Sequence, residues 1–200
     1  MCCLSHFSYD YSNRQGILPV SWEDFHGLCK ALALAAARFQ PEIILPVGRG
    51  GYYPGTLIAH LLQVEPYPVR LSRRVRDEVV WDIPHWLVEP PVLVSGKRVL
   101  IVDEICSHGE TLRMVAQKTS EAGAAEIRTA VLYAHTWGAQ LSDYVGIITD
   151  SLILNPWDRE VLCAGEFIFH PEYADALEKQ GITPLNMLRI PARQFTLAKG

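Results

Sequence analysis

The stretch VLIVDEICSHGETL, residues 99–112, decides the fold of this 200-residue chain. Its first four residues are apolar and do not alternate with polar ones, which is typical of a strand buried on both faces of a parallel sheet. Two acids follow at Asp103 and Glu104, and a turn of small residues leads into the helical pattern TLRMVAQKTSEAG, which Gly123 ends. The stretch predicts a strand over 99–103, a turn and a helix, with both acids at the carboxyl end of the strand.

The flanking segments repeat this alternation of strand and helix. Apolar spacing predicts a helix over 21–38 that begins with Ser21 and Asp24 as a cap, and a second helix over 54–63. Further short apolar runs predict strands at 42–47, 67–71, 127–134 and 144–150. Residues 73–96 lack a steady period and predict a long loop that has room for a hairpin. The order of elements predicts an α/β fold, a Rossmann-like twisted and mainly parallel sheet with helices on both faces.

Composition excludes several classes of protein. Lys and Arg number 18 and Asp and Glu number 22, so bulk charge gives no reason to expect nucleic acid as a partner. Gly numbers 14 and Pro 13, which are too few and too scattered for a disordered or collagenous chain. We expect no membrane partner, because no apolar run could span a bilayer and the start shows no secretory signal. Five cysteines without a CxxC pair predict neither a disulfide framework nor a zinc site, and favour the cytoplasm.

The turn after the predicted central strand has the composition of an anion site. Ser107 and Thr111 offer hydroxyl donors, and Gly109 allows close approach of the backbone just before the positive end of a helix. Asp103 and Glu104 suit ribose hydroxyls or a hard cation such as Mg²⁺. The alternative is an ordinary turn between strand and helix with two solvated acids. Turn composition alone leaves both interpretations open.

Three ordered motifs resemble those of the type I phosphoribosyltransferases, most closely the bacterial xanthine-guanine (6-oxopurine) enzymes. The motifs are VLIVDEICSHGETL, VGRGGYYPG at 47–55 and SDYVGIITDSLILNPWD at 142–158. The resemblance implies the type I phosphoribosyltransferase fold, with residues 1–164 as a core that includes a small hood at about 135–164. Residues 165–200 are then a C-terminal extension that contains a short strand and a helix.

The resemblance also implies an activity, the transfer of ribose 5-phosphate from phosphoribosyl pyrophosphate to a purine-like base with release of pyrophosphate. Mg²⁺ is the implied cofactor, the two substrates are small molecules, and a homodimer or higher oligomer is expected. The implied catalytic residues are Asp103, Glu104, Ser107 and His108. The implied contacts to phosphoribosyl pyrophosphate are Arg49, Gly50, Gly51, Arg73, Arg74, Asp103, Glu104, Cys106, Ser107, His108, Gly109, Glu110 and Thr111. In the family, the loop equivalent to Arg49–Gly51 often contains a cis peptide.

The arginine-rich part of the long loop acquires a role from the same resemblance. In the family a mobile loop closes over the site and excludes water during turnover. One of Arg73, Arg74 or Arg76 would then clamp pyrophosphate. The alternative is that these arginines are solvated or contact a partner subunit.

The residues expected to recognise the base depart from the family pattern. Ser107 occupies the position of an aspartate thought to act on the purine, and the neighbouring His108 is a candidate replacement for that base. His135 stands for a lysine that contacts the purine oxygen, and Leu152 for an aromatic residue that stacks on the base. The implied base-binding set is His135, Leu152, Ile153 and Asp158, and the implied Mg²⁺ ligands are Asp103, Glu104 and Asp158.

These departures leave two other functions open. One is a non-catalytic module that senses phosphoribosyl pyrophosphate or a nucleotide on the same fold. The other is a nucleotide hydrolase or phosphorylase. Cys106 is expected to be a small turn residue, with a thiol of lowered pKa as the alternative because it precedes a helix N-terminus.

Overall fold

Helices and strands alternate along the part of the chain that the computed structural model describes, residues 14–75 and 78–181 without the side chains of Arg74, Glu78 and Val79. The α-helices in these residues are α1 (Trp22–Ala36), α2 (Tyr52–Leu62), α3 (Glu110–Glu121) and α4 (Pro171–Lys179). The β-strands are β1 (Ile17–Pro19), β2 (Ile43–Gly48), β3 (Glu65–Pro66), β4 (Val69–Ser72), β5 (Arg74–Val75), β6 (Glu78–Val79), β7 (His85–Val88), β8 (Arg98–Cys106), β9 (Glu126–Ala134), β10 (Tyr144–Ile148), β11 (Leu152–Leu154), β12 (Glu160–Cys163) and β13 (Glu166–Phe169). Arg76 and residues 182–200 of the expected extension lie outside the described residues.

Local sequence sets where the helices begin and end. The Ser21 hydroxyl accepts a hydrogen bond from the Asp24 N–H (3.1 Å), and the Asp24 carboxylate accepts one from the Ser21 N–H (3.0 Å). This reciprocal pair satisfies two backbone donors at the start of α1 and confirms the predicted cap. Gly123 follows α3 with a φ of 89°, a left-handed conformation that glycine adopts without steric cost. The predicted end of that helix is therefore also confirmed.

One seven-stranded sheet organises residues 21–150. Its strand order is β10-β9-β8-β2-β4-β7, with β3 paired to β2, and every pair is parallel except β4 with β7. Within the long loop predicted for residues 73–96, β5 and β6 form an antiparallel pair, so the hairpin expected as an option is present. The predicted α/β fold with a mainly parallel sheet is confirmed.

The described residues fall into two compact units. Ser21–Asp150 is one unit and contains the seven-stranded sheet with α1, α2 and α3. The described residues before Ser21 and after Asp150 form the other unit, in which β1 runs parallel to β11, β12 pairs with β13, and α4 contributes Ala176 and Leu177 to a core with Leu152. The hood at about 135–164 and the domain boundary at 164 stay predictions.

Strand β8 accounts for the strength of the sequence signal, and it is longer than the sequence predicts. Its residues from Val99 to Val102 are fully buried, and each such side chain contributes roughly 1.5–3 kcal/mol of burial free energy. The prediction that the strand ends at Asp103 is wrong, because β9 pairs with β8 as far as Cys106. The pairing of β8 with β2 stops at Val102. Asp103 and Glu104 therefore lie in the last part of β8, which is paired with β9 but no longer with β2.

The cysteines depart from one expectation. Cys29 and Cys106 are free and buried, whereas Cys163 is disulfide-bonded, although the sequence predicts no disulfide framework. Burial raises the pKa of the Cys29 thiol to about 12, so this residue is an apolar packing group. Among the described residues, no helix combines the length and apolar character needed to cross a bilayer.

Asp143 ties the start of β10 to β9. Its carboxylate accepts hydrogen bonds from the Thr129 N–H (2.8 Å) and from the Arg128 guanidinium (2.9 Å). We expect Asp143→Asn to lower the free energy of unfolding by about 1–3 kcal/mol, because the amide NH₂ would face donors that need an acceptor. Urea unfolding measures the loss. The control is Glu89→Gln, which breaks an exposed pair with Lys118 and should change stability by less than about 1 kcal/mol.

Candidate active site

Two carboxylates lie where β8 extends beyond β2. Asp103 and Glu104 are both partly buried, and an Asp103 carboxylate oxygen accepts a hydrogen bond from the Glu104 N–H (2.7 Å). Burial raises the pKa of Asp103 from 3.8 to about 7, against the opposing effect of that hydrogen bond. Its negative form is therefore costly in the folded protein unless a positive group or a hydroxyl donor joins it. An acid of this kind at the carboxyl edge of a parallel sheet is a candidate ligand-binding group.

The raised pKa of Asp103 predicts a pH-dependent effect of Asp103→Asn on stability. Between about pH 4 and pH 7 the folded protein holds this proton more tightly than the unfolded chain, so the wild type loses stability as the pH rises through that interval. The asparagine variant carries no such penalty. We expect it to be more stable than the wild type by about 1–4 kcal/mol at pH 8 and equally stable near pH 4. Urea unfolding at both pH values tests this, and an equal difference at both would contradict it.

The loop after β2 packs directly against the same end of β8. The peptide bond between Gly48 and Arg49 is cis, as the resemblance implies. A Cβ on Gly51 would lie 2.5 Å from the Val47 carbonyl oxygen and 2.7 Å from that of Val102. A Cβ on Gly50 would collide with the Glu104 carboxylate. Glycine is therefore required at position 51 for the loop to sit beside the two acids.

The turn from β8 into α3 supplies the third component. Gly109 precedes α3 with a φ of 69°, and the helix begins at Glu110. The first N–H groups of α3 thus follow the turn directly, and the positive end of the helix dipole favours an anion there. Ser107 and Thr111 are partly buried and His108 is exposed. The arrangement can hold a phosphate next to the two carboxylates.

Cys106 is the last residue of β8 and is buried. Burial raises the pKa of its thiol, the nearby Asp103 charge raises it further, and a hydrogen bond with the Gly109 backbone acts in the opposite direction. The expectation of a turn position is wrong, and so is the alternative of a thiol with a lowered pKa. Cys106 is a packing residue of the hydrophobic core.

A second turn, residues 135–141, contacts the backbone at the start of the first. The His135 N–H donates to the Cys106 carbonyl oxygen (3.0 Å). A Cβ on Gly138 would collide with the backbone oxygens of Cys106 and Ser107. Two backbone segments are thus in direct contact at the carboxyl ends of neighbouring strands.

His135 is 1% exposed, and its Nδ1 lies 2.8 Å from the Thr149 carbonyl oxygen. Because a carbonyl only accepts hydrogen bonds, Nδ1 carries a proton. Its ring stacks on that of Trp137, with centroids 4.9 Å apart, and Trp137 is 46% exposed. Trp137 is not among the site residues predicted from the sequence. The available signal was an aromatic residue just beyond the carboxyl end of a strand that neighbours β8.

The other predicted residues are placed as follows. Arg73 is exposed, and the Arg74 side chain is not among those described. Leu152 and Ile153 are buried in β11, in the second unit. Asp158, in the same unit, accepts a hydrogen bond from the Asn155 amide (3.1 Å), and burial raises its pKa. The roles of Leu152, Ile153 and Asp158 in binding the base stay predictions.

The donors at the carboxyl edge of the sheet suit a cation that arrives with its substrate. Among residues 14–75 and 78–181, no three His, Cys, Asp or Glu side chains are grouped as a metal site. Mg²⁺ in phosphate-binding sites uses one or two carboxylates and completes its shell with phosphate oxygens and water. Asp103 and Glu104 provide hard oxygen donors of that type.

Comparison with known proteins agrees with this geometry. Residues 25–162 match the family model described as the phosphoribosyl transferase domain. The xanthine-guanine phosphoribosyltransferase of Nitratidesulfovibrio vulgaris (strain Hildenborough) is 29% identical over 160 residues, which cover 78% of this chain and 93% of that protein. The chain therefore belongs to the phosphoribosyl transferase domain family, and it is an enzyme of the transferase class.

Solved structures share the fold. The purine phosphoribosyltransferase of Pyrococcus horikoshii OT3 is 25% identical with a TM-score of 0.65, and the match covers 74% of this chain and 99% of that one. A protein of Neisseria gonorrhoeae solved with bound ppGpp is 22% identical with a TM-score of 0.61, over 72% of this chain and 90% of that one. The latter similarity shows the fold alone.

Proposed function

We propose that this protein transfers ribose 5-phosphate from phosphoribosyl pyrophosphate to a purine base and releases pyrophosphate. The observation that carries the proposal is the contact between the Gly50 backbone and the Glu104 carboxylate. It joins the proposed pyrophosphate loop to the proposed ribose-binding acids at one edge of the sheet. The purine preference is supported by the similarity to xanthine-guanine and purine phosphoribosyltransferases.

The proposed roles run along the substrate from its 5-phosphate to its pyrophosphate. The backbone from Cys106 to Thr111 binds the 5-phosphate with the hydroxyls of Ser107 and Thr111. Asp103 and Glu104 hold the ribose hydroxyls, and Arg49 with the N–H groups of the adjacent glycines faces the pyrophosphate. A base nitrogen then bonds to the anomeric carbon as the bond to pyrophosphate breaks, and the base gives up a proton.

Charge stabilisation is the main catalytic contribution expected of these residues. Asp103 and Glu104 would hold Mg²⁺ together with the substrate, and when bound this ion neutralises charge on the departing pyrophosphate. Arg73 or Arg74 adds positive charge at the same leaving group. His108, exposed beside the phosphate turn, is the group that accepts the proton of the base. The protein is further proposed to be cytoplasmic and to form a homodimer or higher homo-oligomer.

Pyrophosphate release is the direct test. The protein is incubated with phosphoribosyl pyrophosphate, Mg²⁺ and each of hypoxanthine, guanine, xanthine and adenine, and pyrophosphate is measured. We expect release that depends on at least one base. No release with any base from protein whose circular dichroism shows a folded α/β structure would overturn the proposal.

A nucleotide-sensing module is the second candidate. The observation that favours it is Ser107 at the position where the resemblance implies an aspartate, because a serine hydroxyl alone is not a general base. The fold it shares with a protein solved with bound ppGpp is compatible with this function. Binding of phosphoribosyl pyrophosphate or a nucleotide, measured by calorimetry in the absence of turnover, would support it over the transferase.

A further inference from the structure

Three aromatic rings gather beside the turn that the proposed function assigns to the 5-phosphate. The Trp137 and His135 rings stack with centroids 4.9 Å apart and an angle of 25° between their planes. The His108 ring lies 6.3 Å from that of Trp137 at 42°. His135 is buried, whereas His108 and almost half of Trp137 are exposed. Trp137 is thus the large exposed aromatic surface of this group.

Hydrogen bonds on both sides fix the position of Trp137. On one side, His135 and Gly138 contact the backbone of the phosphate turn, as described above. On the other side, the Asp150 carboxylate accepts hydrogen bonds from the Thr136 N–H (2.9 Å) and hydroxyl (2.6 Å). Trp137 lies between these attachments, and its ring rests on the buried His135. A ring held in this way loses little conformational entropy when a ligand stacks on it.

The chain also lacks an aromatic side chain at the position where the resemblance places the stacking residue. Leu152 stands there and is 3% exposed. A nucleotide base therefore needs another stacking surface. Tryptophan offers the largest one available among side chains, and stacking tolerates different bases because every base has a π-face.

We propose that Trp137, with His108 at its side, stacks on the heteroaromatic base of the nucleotide whose phosphate occupies the turn at 106–111. This inference rests on the proposed function and identifies the residue that binds its base. The recognised group is a planar heterocycle attached to ribose 5-phosphate. Trp137 then supplies stacking affinity that is common to all bases. Selection among bases depends on other groups that contact the edge of the bound base.

The test compares ligands with and without a base. Inosine and guanosine 5′-monophosphates and ribose 5-phosphate are each titrated by calorimetry into the wild type and into Trp137→Ala and Trp137→Phe. We expect Trp137→Ala to weaken nucleotide binding about 10- to 100-fold and to leave ribose 5-phosphate binding within about twofold. Trp137→Phe should keep most of the nucleotide affinity because it keeps an aromatic face.

Fluorescence gives an independent readout. Nucleotides should quench the tryptophan emission of the wild type, ribose 5-phosphate should not, and Trp137→Phe should abolish the quenching. The matched control is Trp22→Phe, which removes a tryptophan of similar exposure (47%) on α1 and should keep the quenching.

The outcomes separate the two proposals. Equal loss of nucleotide and ribose 5-phosphate binding in Trp137→Ala would show that Trp137 only supports the turn, and would overturn the stacking role while the proposed function stands. Unchanged nucleotide binding in both variants would overturn it as well. No binding of any phosphoribosyl ligand to the folded wild type would overturn the proposed function and this inference with it.

Discussion

Replacing Asp103 by Asn and Glu104 by Gln together should lower phosphoribosyl transfer by at least about a hundredfold without loss of stability. Both substitutions keep the shape of the side chain, and the amide oxygen introduced at position 103 can still accept the backbone hydrogen bond that the Asp103 carboxylate accepts now. What they remove is the negative charge that would hold ribose hydroxyls and Mg²⁺. Stability should be kept because burial makes the Asp103 charge costly in the folded protein.

Steady-state pyrophosphate release and thermal unfolding measure the two effects. The matched control is Glu121→Gln with Glu126→Gln, which also removes two negative charges from the same unit. Glu126 begins β9 and Glu121 ends α3, so both lie at the edge of the sheet opposite the carboxyl ends of the strands. We expect this control to keep activity within about twofold. Wild-type turnover in the variant with both Asp103 and Glu104 replaced would show that neither acid belongs to the active site.

Gly51→Ala should reduce kcat/KM for phosphoribosyl pyrophosphate by about a hundredfold or more and lower the free energy of unfolding by about 1–3 kcal/mol. The added methyl group would meet the backbone oxygens of Val47 and Val102 and lie 2.8 Å from the Asp103 Cα. All three atoms belong to backbone that cannot rotate away, so the loop must move from the acids.

Gly27→Ala is the control for this substitution. Gly27 lies in α1, and a Cβ there would have no neighbour within 4 Å. Alanine should raise stability by about 0.5–1 kcal/mol, since glycine is unfavourable inside a helix. Activity should not change. Wild-type activity in Gly51→Ala would show that the loop after β2 does not position the substrate.

The sequence predicted most of the main sheet because its strands are buried and its helices have local signals. Val99 to Val102 form an apolar run that is typical of a strand covered on both faces. Ser21 and Asp24 mark a helix start through hydrogen bonds to each other's backbone, and Gly123 marks a helix end by its positive φ. The end of β8 was not predictable, because it depends on β9, which continues to pair with it as far as Ala134.

The site was predictable only where its chemistry lies in consecutive residues. The acids of β8 and the turn that follows form one continuous motif, whereas the approach of Gly50 to Glu104 depends on how two strands pack. Trp137 has no local signal that separates it from a packing residue. Its importance comes from Gly138, which contacts backbone about thirty residues earlier in the chain.

That contact has a consequence for how base preference can change in this enzyme. Insertions or deletions within residues 135–141 would move Gly138 off the Cys106 and Ser107 carbonyls and disturb the phosphate turn at the same time. Variants with a longer or shorter loop are therefore poor starting points for laboratory evolution of base preference, since they would also bind the phosphate more weakly. Side-chain exchanges at fixed length around the edge of the Trp137 ring are the accessible route, because they leave the Gly138 contact and the phosphate turn in place.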